Sequence, residues 1–194
     1  MNNNIKMDIP TTEQLKKELD RRRYKSSYFR TLFSTFGTLL VAAAAVFLIS
    51  HFAFPVLRVT GSSMHPTLSE DQIVLCSKYA HVKNGDVIAF YHNKKILVKR
   101  IIASGGDVID IKEDGTVILN SSPLNEPYAY ISGEGECDIT FPYTVPDSRY
   151  FVMGDDREVS VDSRSTAVGC VASENIIGKV SYVLLPYESF GALK

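Results

Sequence analysis

The hydrophobic pattern begins with one long, uniformly apolar run. Residues 31–54 contain no Asp, Glu, Lys or Arg, and as a helix they would extend roughly 36 Å, enough to cross a hydrocarbon core of about 30 Å. Residues 39–49 have no polar face at helical spacing, which favours a membrane span over a buried core helix. We therefore predict a transmembrane anchor over residues 31–56.

Beyond the anchor, short β-branched runs alternate with turn residues. We predict strands at 73–76, 86–90, 96–102, 108–111, 117–119, 150–153 and 179–185. Turn residues separate them at 84–85, 105–107, 114–115 and 120–123. The pattern indicates a mainly β domain over 57–194, with a proline- and glycine-containing excursion from the sheet at 121–149.

Charge is concentrated in the tail that precedes the anchor. Residues 1–30 hold eight Lys and Arg against four Asp and Glu, although the whole chain carries a net charge of -1. A short basic segment before an apolar run is typical of a membrane topology signal rather than a nucleic-acid site. The positive-inside rule then places the tail in the cytoplasm and the domain after Arg58 outside. A cleavable signal peptide is the alternative, but its apolar core is normally about 7–15 residues long.

Two further local patterns concern the tail and the cysteines. Thr11 and Gln14 form a capping-box pattern, which predicts a short amphipathic helix in the tail. Cys76, Cys137 and Cys170 lack C-x-x-C spacing and a neighbouring histidine cluster, so we expect no zinc site. The sequence leaves open whether Cys137 and Cys170 form a disulfide, and we expect Cys76 to be a buried thiol.

A serine and a lysine carry the candidate chemistry. Ser63 lies on a predicted turn just after Gly61, and Lys99 and Arg100 are adjacent in an apolar strand. Because neighbouring strand residues point to opposite faces, one of these cations must face the apolar side. Burial lowers a lysine pKa by up to about 3–5 units, so a neutral Lys99 could accept the Ser63 proton. A lysine that reaches solvent from an edge strand is the alternative.

The segment 154–164 is polar and rich in charge. In an extended conformation, alternation would place Ser160, Asp162 and Arg164 on one side. Such a row could hold a lysine amine and fix the loop through ion pairing. A solvated loop is the alternative for this segment taken alone.

Four segments together resemble bacterial type I signal peptidases, the S26 serine endopeptidases, in their single-anchor Gram-positive form. The segments are Ser63-Met64-x-Pro66-Thr67-Leu68, Gly85-Asp86-Val87-Ile88, Lys99-Arg100-Ile101 with Gly106-Asp107, and Gly154-Asp155-x-Arg157 with Ser160-x-Asp162-Ser163-Arg164. The resemblance implies a signal peptidase/LexA-like β-sheet domain on a single-pass anchor in the bacterial cell membrane. It implies cleavage of N-terminal signal peptides from exported preproteins at Ala-x-Ala-like sites, without a cofactor or metal. The implied partners are these signal peptides, the lipid bilayer and nearby protein-export machinery, with no nucleic acid.

The resemblance also implies roles for individual residues. Ser63 would be the nucleophile, Lys99 the general base and the Ser63 backbone N–H the oxyanion donor. Gly61 excludes a second, side-chain donor, as in Gram-positive relatives. Ser160 would hold the Lys99 amine. The resemblance further implies that five residues support the catalytic pair: Ser160, Asp162, Arg164, Asp155 and Arg100.

Apolar residues flank the candidate catalytic pair and predict a shallow groove that accepts small side chains. The candidate substrate-binding residues are Leu57, Val59, Met64, Leu68, Leu97 and Val98. An extended peptide could add to this sheet edge as a strand. Core packing is the alternative role for each of these residues.

The chain departs from the family pattern at two positions. Gly105 stands where the family usually has Pro, which we expect to affect only a turn. Asp156 stands where the family usually has Asn, which adds a carboxylate beside Asp155.

Three rival functions remain. A Ser-His hydrolase would use His65, His81 or His92. A self-cleaving repressor-type protease is disfavoured by the anchor, and a non-catalytic secretion or pilus-assembly chaperone by the retention of both Ser63 and Lys99.

Overall fold

The computed structural model describes residues 11–130 and 137–193. The chain divides into two compact units, Met1–Ser50 and His51–Lys194. The first ten residues of the predicted tail lie outside the described residues, and so do residues 131–136 of the predicted excursion.

A single helix, α1, runs from Thr12 to Ala53 and joins the predicted tail helix to the predicted anchor. The Thr11 N–H donates to Gln14 Oε1 at 2.9 Å, which is one half of the predicted capping box. The helix contains a window with a mean hydropathy of 2.3, none of it buried against protein, so its length and composition suit a membrane span. The predicted anchor boundary at 56 is too late, because Val56 already belongs to the first strand.

The described residues of the second unit form twelve strands in two sheets, which confirms the mainly β prediction. The strands are β1 (Val56–Arg58), β2 (Ile73–Ser77), β3 (Val87–His92), β4 (Lys95–Ser104), β5 (Val108–Ile111), β6 (Val117–Leu119), β7 (Ser122–Pro123), β8 (Tyr143–Thr144), β9 (Arg149–Met153), β10 (Val171–Ala172), β11 (Ile176–Leu185) and β12 (Gly191–Ala192). The larger sheet has the order β1-β2-β11-β3-β4-β9-β10, with β12 also paired to β11, and the smaller has the order β7-β6-β5-β8.

All seven predicted strands are present, and the five that the pattern missed, β1, β7, β8, β10 and β12, contain only two or three residues each. Such short runs carry too few positions for alternation to be recognised. The predicted turns at 84–85, 105–107 and 114–115 are also present, with Gly85, Gly106 and Gly115 at positive φ. The predicted turn at 120–123 is shorter, because Ser122 and Pro123 form β7. Gly105 is closely packed as well as lying in a turn, because a Cβ there would lie 3.0 Å from the Pro146 carbonyl oxygen.

The core beside β1 and β2 anchors the segment that carries Ser63. Met64 and Leu68 are buried there with Val74 and Cys76, so the prediction of a buried Cys76 is confirmed. Cys137 and Cys170 are free thiols rather than a disulfide. The Cys170 thiol lies 3.8 Å from the Tyr143 hydroxyl.

Candidate active site

The structure brings Ser63 and Lys99 into direct contact. Lys99 Nζ lies 2.6 Å from Ser63 Oγ, a hydrogen-bond distance. Lys99 lies on β4 opposite Ile88 of β3 and is only 4% exposed. Burial lowers the pKa of the Lys99 amine to about 8 from its usual 10.5, although the charge of Asp162 opposes this change. About a tenth of the amine is therefore neutral at pH 7, far more than for an ordinary lysine.

The backbone around Ser63 is fixed from both sides. The Met64 side chain is buried and anchors the turn, and the Met64 backbone carbonyl accepts the Leu68 N–H at 2.8 Å. The Asp156 N–H donates to the Ser63 carbonyl oxygen at 3.1 Å. Within the described part of the chain, the Ser63 N–H has no hydrogen-bond acceptor. That N–H is consequently free to donate to an oxyanion formed beside Ser63 Oγ.

Arg100 points to the opposite face of β4 and forms a buried ion pair with Asp155. Its Nε and Nη2 donate to the two Asp155 oxygens at 2.8 and 2.6 Å, and the two side chains are 4% and 1% exposed. Thr67 Oγ1 also donates to Asp155 and accepts from Arg100 Nη2 at 3.1 Å. The guanidinium carbon lies 4.0 Å from the Tyr128 ring centroid, a cation–π geometry. Arg100 and Asp155 thus tie β4 to the 154–164 segment without contacting Ser63.

A second buried ion pair fixes the same segment from within. Arg164 Nε and Nη2 each donate to Asp162 at 2.9 Å, and the Gly154 N–H donates to Asp162 Oδ2 at 3.0 Å. Burial opposes ionisation of Asp162, but the hydrogen bonds and charge of Arg164 outweigh it and lower the pKa of that carboxyl. Asp162 is therefore a stable anion beside the lysine.

Ser160 does not make the predicted hydrogen bond to the Lys99 amine. Its hydroxyl is buried and lies near Asp162, whose pKa it helps to lower, but it makes no well-formed hydrogen bond among the described residues. The segment 154–164 forms turns rather than the extended run that the alternation assumed. Gly154 brings Ser160 and Ser63 together, because a Cβ at Gly154 would overlap both the Ser160 hydroxyl and the Ser63 carbonyl oxygen. A role for Ser160 toward Lys99 stays a prediction.

Sequence reasoning missed a third buried ion pair. Arg157 donates to both Glu126 oxygens, at 3.0 and 2.5 Å, and to the Gly154 carbonyl at 3.1 Å. Arg157 lies within the motif that carried the resemblance, but nothing in the pattern identified its partner. Glu126 belongs to the excursion, 31 residues earlier in the chain, and only the fold brings the two together.

A groove lies along Ser63 and Lys99. Its volume is about 140 Å³, and Arg58, Thr60, Gly61 and Ile96 contribute to its walls. Five of the six predicted substrate-binding residues line it: Leu57, Val59, Met64, Leu97 and Val98. Leu68 does not, because its side chain is fully buried in the core and has no surface to offer a substrate.

The hydroxyl of Ser63 is bonded to a lysine rather than to a histidine. The His65 ring packs edge-on against Tyr130, with the ring centroids 5.1 Å apart. His81 is exposed and His92 lies at the end of β3. Neither makes a hydrogen bond to Ser63 within the described residues. The geometry therefore gives no support to a Ser-His hydrolase.

Comparisons with known proteins agree with one another. Residues 32–185 match the family model described as "Signal peptidase, peptidase S26". Signal peptidase I of Bacillus amyloliquefaciens is 32% identical over 169 residues, covering 80% of this chain and 86% of that protein. Signal peptidase IB of Staphylococcus aureus strain Mu50 is 32% identical over 174 residues, covering 79% and 89%.

A crystal structure of a signal peptidase I from Enterococcus faecalis V583 is also similar. It is 27% identical in sequence and has a TM-score of 0.45, with 53% of this chain and 98% of that chain covered. The family model alone spans most of the chain, including the turn that carries Ser63 and the strand that carries Lys99. This chain belongs to the signal peptidase, peptidase S26, family.

Proposed function

We propose that this protein is a membrane-anchored serine endopeptidase that removes N-terminal signal peptides from exported preproteins with a Ser63/Lys99 pair. The observation that carries the proposal is the 2.6 Å contact between Ser63 Oγ and the buried Lys99 amine. A lysine that stays charged cannot accept a proton, so the lowered pKa of Lys99 is what makes the pair chemically competent.

The chemistry is an acyl transfer in two halves. Ser63 Oγ attacks the scissile carbonyl while neutral Lys99 takes the hydroxyl proton, and the Ser63 N–H donates to the oxyanion. The resulting Lys99 ammonium returns that proton to the leaving amine as the C–N bond breaks. Water then attacks the acyl-enzyme while Lys99 takes its proton. The bond between Ser63 Oγ and the acyl carbon breaks, Lys99 returns the proton to Ser63 Oγ, and the signal peptide leaves with a free carboxylate.

The groove supports binding of an extended peptide. β1 is the outermost strand of its sheet. Residues 95–99 of β4 pair with β3 on one side, and among the described residues their other side has no strand partner, because the pairing of β4 with β9 begins at Arg100. Both groove walls therefore offer strand backbone to a peptide, which could add between them through main-chain hydrogen bonds. A volume of about 140 Å³ suits small side chains such as Ala before the cut.

Topology is part of the proposal. The basic residues before the apolar part of α1 favour a cytoplasmic N-terminus and an extracytoplasmic β unit. Protease treatment of spheroplasts tests this directly. Digestion of the β unit from outside is expected, and full protection of residues after Arg58 would overturn the orientation.

Cleavage of a preprotein by the detergent-solubilised full chain tests the activity. The substrate carries an Ala-x-Ala site, and a variant substrate with Lys in place of both Ala residues is the specificity control. The wild-type protein should cleave only the first, and Ser63→Ala and Lys99→Ala should each abolish cleavage with the circular dichroism spectrum unchanged. A wild-type protein that binds the preprotein but never cleaves it would instead indicate the chaperone alternative.

A further inference from the structure

Three buried carboxylates lie around Ser63 and Lys99, and one of them differs from the other two. Asp155 is paired with Arg100, and Asp162 with Arg164. Asp156 is only 8% exposed, yet it makes no ion pair within residues 11–130 and 137–193. Its Oδ1 accepts a long hydrogen bond of 3.5 Å from the Val159 N–H. Of the three carboxyls, Asp156 is therefore the one that has no cation as an ion-pair partner among the described residues.

The backbone places Asp156 directly beside the nucleophile. Its N–H donates to the Ser63 carbonyl oxygen at 3.1 Å. It also forms a parallel bridge with Tyr130, whose ring packs against His65 two residues after Ser63. We call the three residues His65, Tyr130 and Asp156 the exit flank. None of the three lines the groove that is formed by β1, Gly61 and the start of β4.

We infer that Asp156 is a specificity-determining residue that selects, by charge, the first residues of the released mature chain. The inference rests on the proposed function, in which the residues before the cut occupy the groove. The chain after the cut must then leave past Ser63 on another side, and the exit flank borders Ser63 outside the groove. An anion there attracts a lysine that follows the cut and repels a glutamate.

The expected effect is modest because the substrate side chain stays in contact with water. Asp156 is 8% exposed, but an ion pair whose other partner stays in water is still screened and changes an equilibrium by only a fewfold. Attraction of Lys and repulsion of Glu both raise the ratio of cleavage of the Lys substrate over the Glu substrate. At low salt, we expect kcat/KM to be about fivefold higher for a substrate with Lys after the cut than for one with Glu there. Added NaCl should reduce this ratio, since salt screens exposed charges.

The experiment compares three peptides that share one Ala-x-Ala site and differ only after the cut, where they carry Lys-Lys, Ser-Ser or Glu-Glu. kcat/KM is measured for the solubilised full chain and for Asp156→Asn, which keeps the size of the side chain and the backbone bond to Ser63. The Lys/Glu ratio should fall to within twofold of unity in Asp156→Asn. Glu158→Gln is the matched control, because it removes one negative charge from an exposed position in the same segment and should keep the wild-type ratio.

The outcomes separate this inference from the proposed function. Cleavage of all three peptides with a wild-type Lys/Glu ratio near unity contradicts the inference and leaves the peptidase activity established. Retention of the ratio in Asp156→Asn, or its loss in Glu158→Gln, also contradicts the assignment to Asp156. Failure of the wild-type protein to cleave even the Ser-Ser peptide contradicts the proposed function itself, and this inference with it.

Discussion

The two faces of β4 give two neighbouring cationic residues opposite electrostatic environments. Lys99 and Arg100 are adjacent, and both are nearly fully buried, at 4% and 3% exposure. Lys99 contacts a neutral hydroxyl and has a lowered pKa. Arg100 contacts both oxygens of Asp155 and lies over an aromatic ring.

The difference separates a reactive cation from a structural one. A lysine that is buried without a directly bonded carboxylate is driven toward its neutral, basic form. An arginine stays charged at any ordinary pH, so its burial requires a partner. We therefore expect substitutions on the Lys99 face to change activity more than stability, and those on the Arg100 face to change stability first.

Replacement of Lys99 should have the largest effect. Lys99→Met keeps the alkyl chain but removes the amine, and we expect kcat/KM to fall about 10³- to 10⁴-fold because the proton acceptor is lost. The free energy of unfolding should stay the same or rise, since a buried polar group is exchanged for an apolar one. Cleavage kinetics and thermal unfolding of the solubilised protein measure the two quantities. A large loss of stability would mean that Lys99 is structural, like Arg100.

Replacement of Arg100 should give the opposite result. Arg100→Met leaves the Asp155 carboxylate buried and unpaired, which should lower the free energy of unfolding by about 3–5 kcal/mol. In the double variant Arg100→Met/Asp155→Asn the loss should be smaller than in Arg100→Met, because the uncompensated charge is gone. Denaturant titration of the three proteins checks this. Equal losses in the single and double variants would show that the pair is not coupled.

The pH dependence should follow the Lys99 amine. With a pKa of about 8, only the neutral fraction reacts, so kcat/KM should rise roughly 50-fold from pH 6 to pH 8 and level off above it. A peptide without ionisable groups near the cut keeps the substrate from contributing. A flat profile over this range would exclude Lys99 as the base.

Stability should depend on pH through the same group. The folded pKa of about 8 lies below the ordinary value of 10.5, so between these two values the unfolded chain binds more protons than the folded one. Stability relative to Lys99→Met should therefore rise with pH from about 8 to about 10.5, by about 3 kcal/mol in total. Below pH 8 the difference should be constant. Unfolding of both proteins across this range measures it.

The sequence predicted the β unit well because its longer strands carry clear β-branched runs. The strands β2, β4 and β11 each contain a predicted strand, and β3 contains all but the first residue of another. The continuity of α1 was missed because residues 12–30 are polar whereas 31–53 are apolar, and a change of polarity looks like a boundary even where the helix hydrogen bonds continue.

The Ser63/Lys99 contact could be predicted because both residues lie in recognisable motifs, but its surroundings could not. Glu126 binds Arg157 across 31 positions, and Tyr128 covers Arg100. Both come from the excursion, whose composition indicates only a loop. Leu68 was assigned to the substrate groove because it is near Ser63 in sequence, yet the turn directs it into the core. Contacts made by irregular segments have no periodic pattern from which to infer them.

Two buried serines in one segment extend the comparison on a smaller scale. Ser160 and Ser163 are each 1% exposed. Ser163 Oγ accepts from the Val152 N–H at 2.9 Å and donates to the Gly169 carbonyl at 2.8 Å. Ser160 Oγ lies near Asp162, whose pKa it helps to lower, but makes no well-formed hydrogen bond in the described structure. One hydroxyl is committed to the fold, and the other is available to the site beside Gly154 and Ser63.

We expect the two alanine variants to separate activity from stability. Ser160→Ala should lower kcat about tenfold, as expected for loss of one hydrogen bond to the Lys99 amine during catalysis, without lowering the free energy of unfolding. Ser163→Ala should lower that free energy by about 1–3 kcal/mol, because it leaves the buried Val152 N–H unsatisfied, while kcat of the folded protein stays within about twofold. Single-turnover cleavage and denaturant titration of both variants provide the readouts. Unchanged kcat in Ser160→Ala, with stability raised, would mean that its hydroxyl only fills space and that Lys99 is positioned by burial and Ser63 alone.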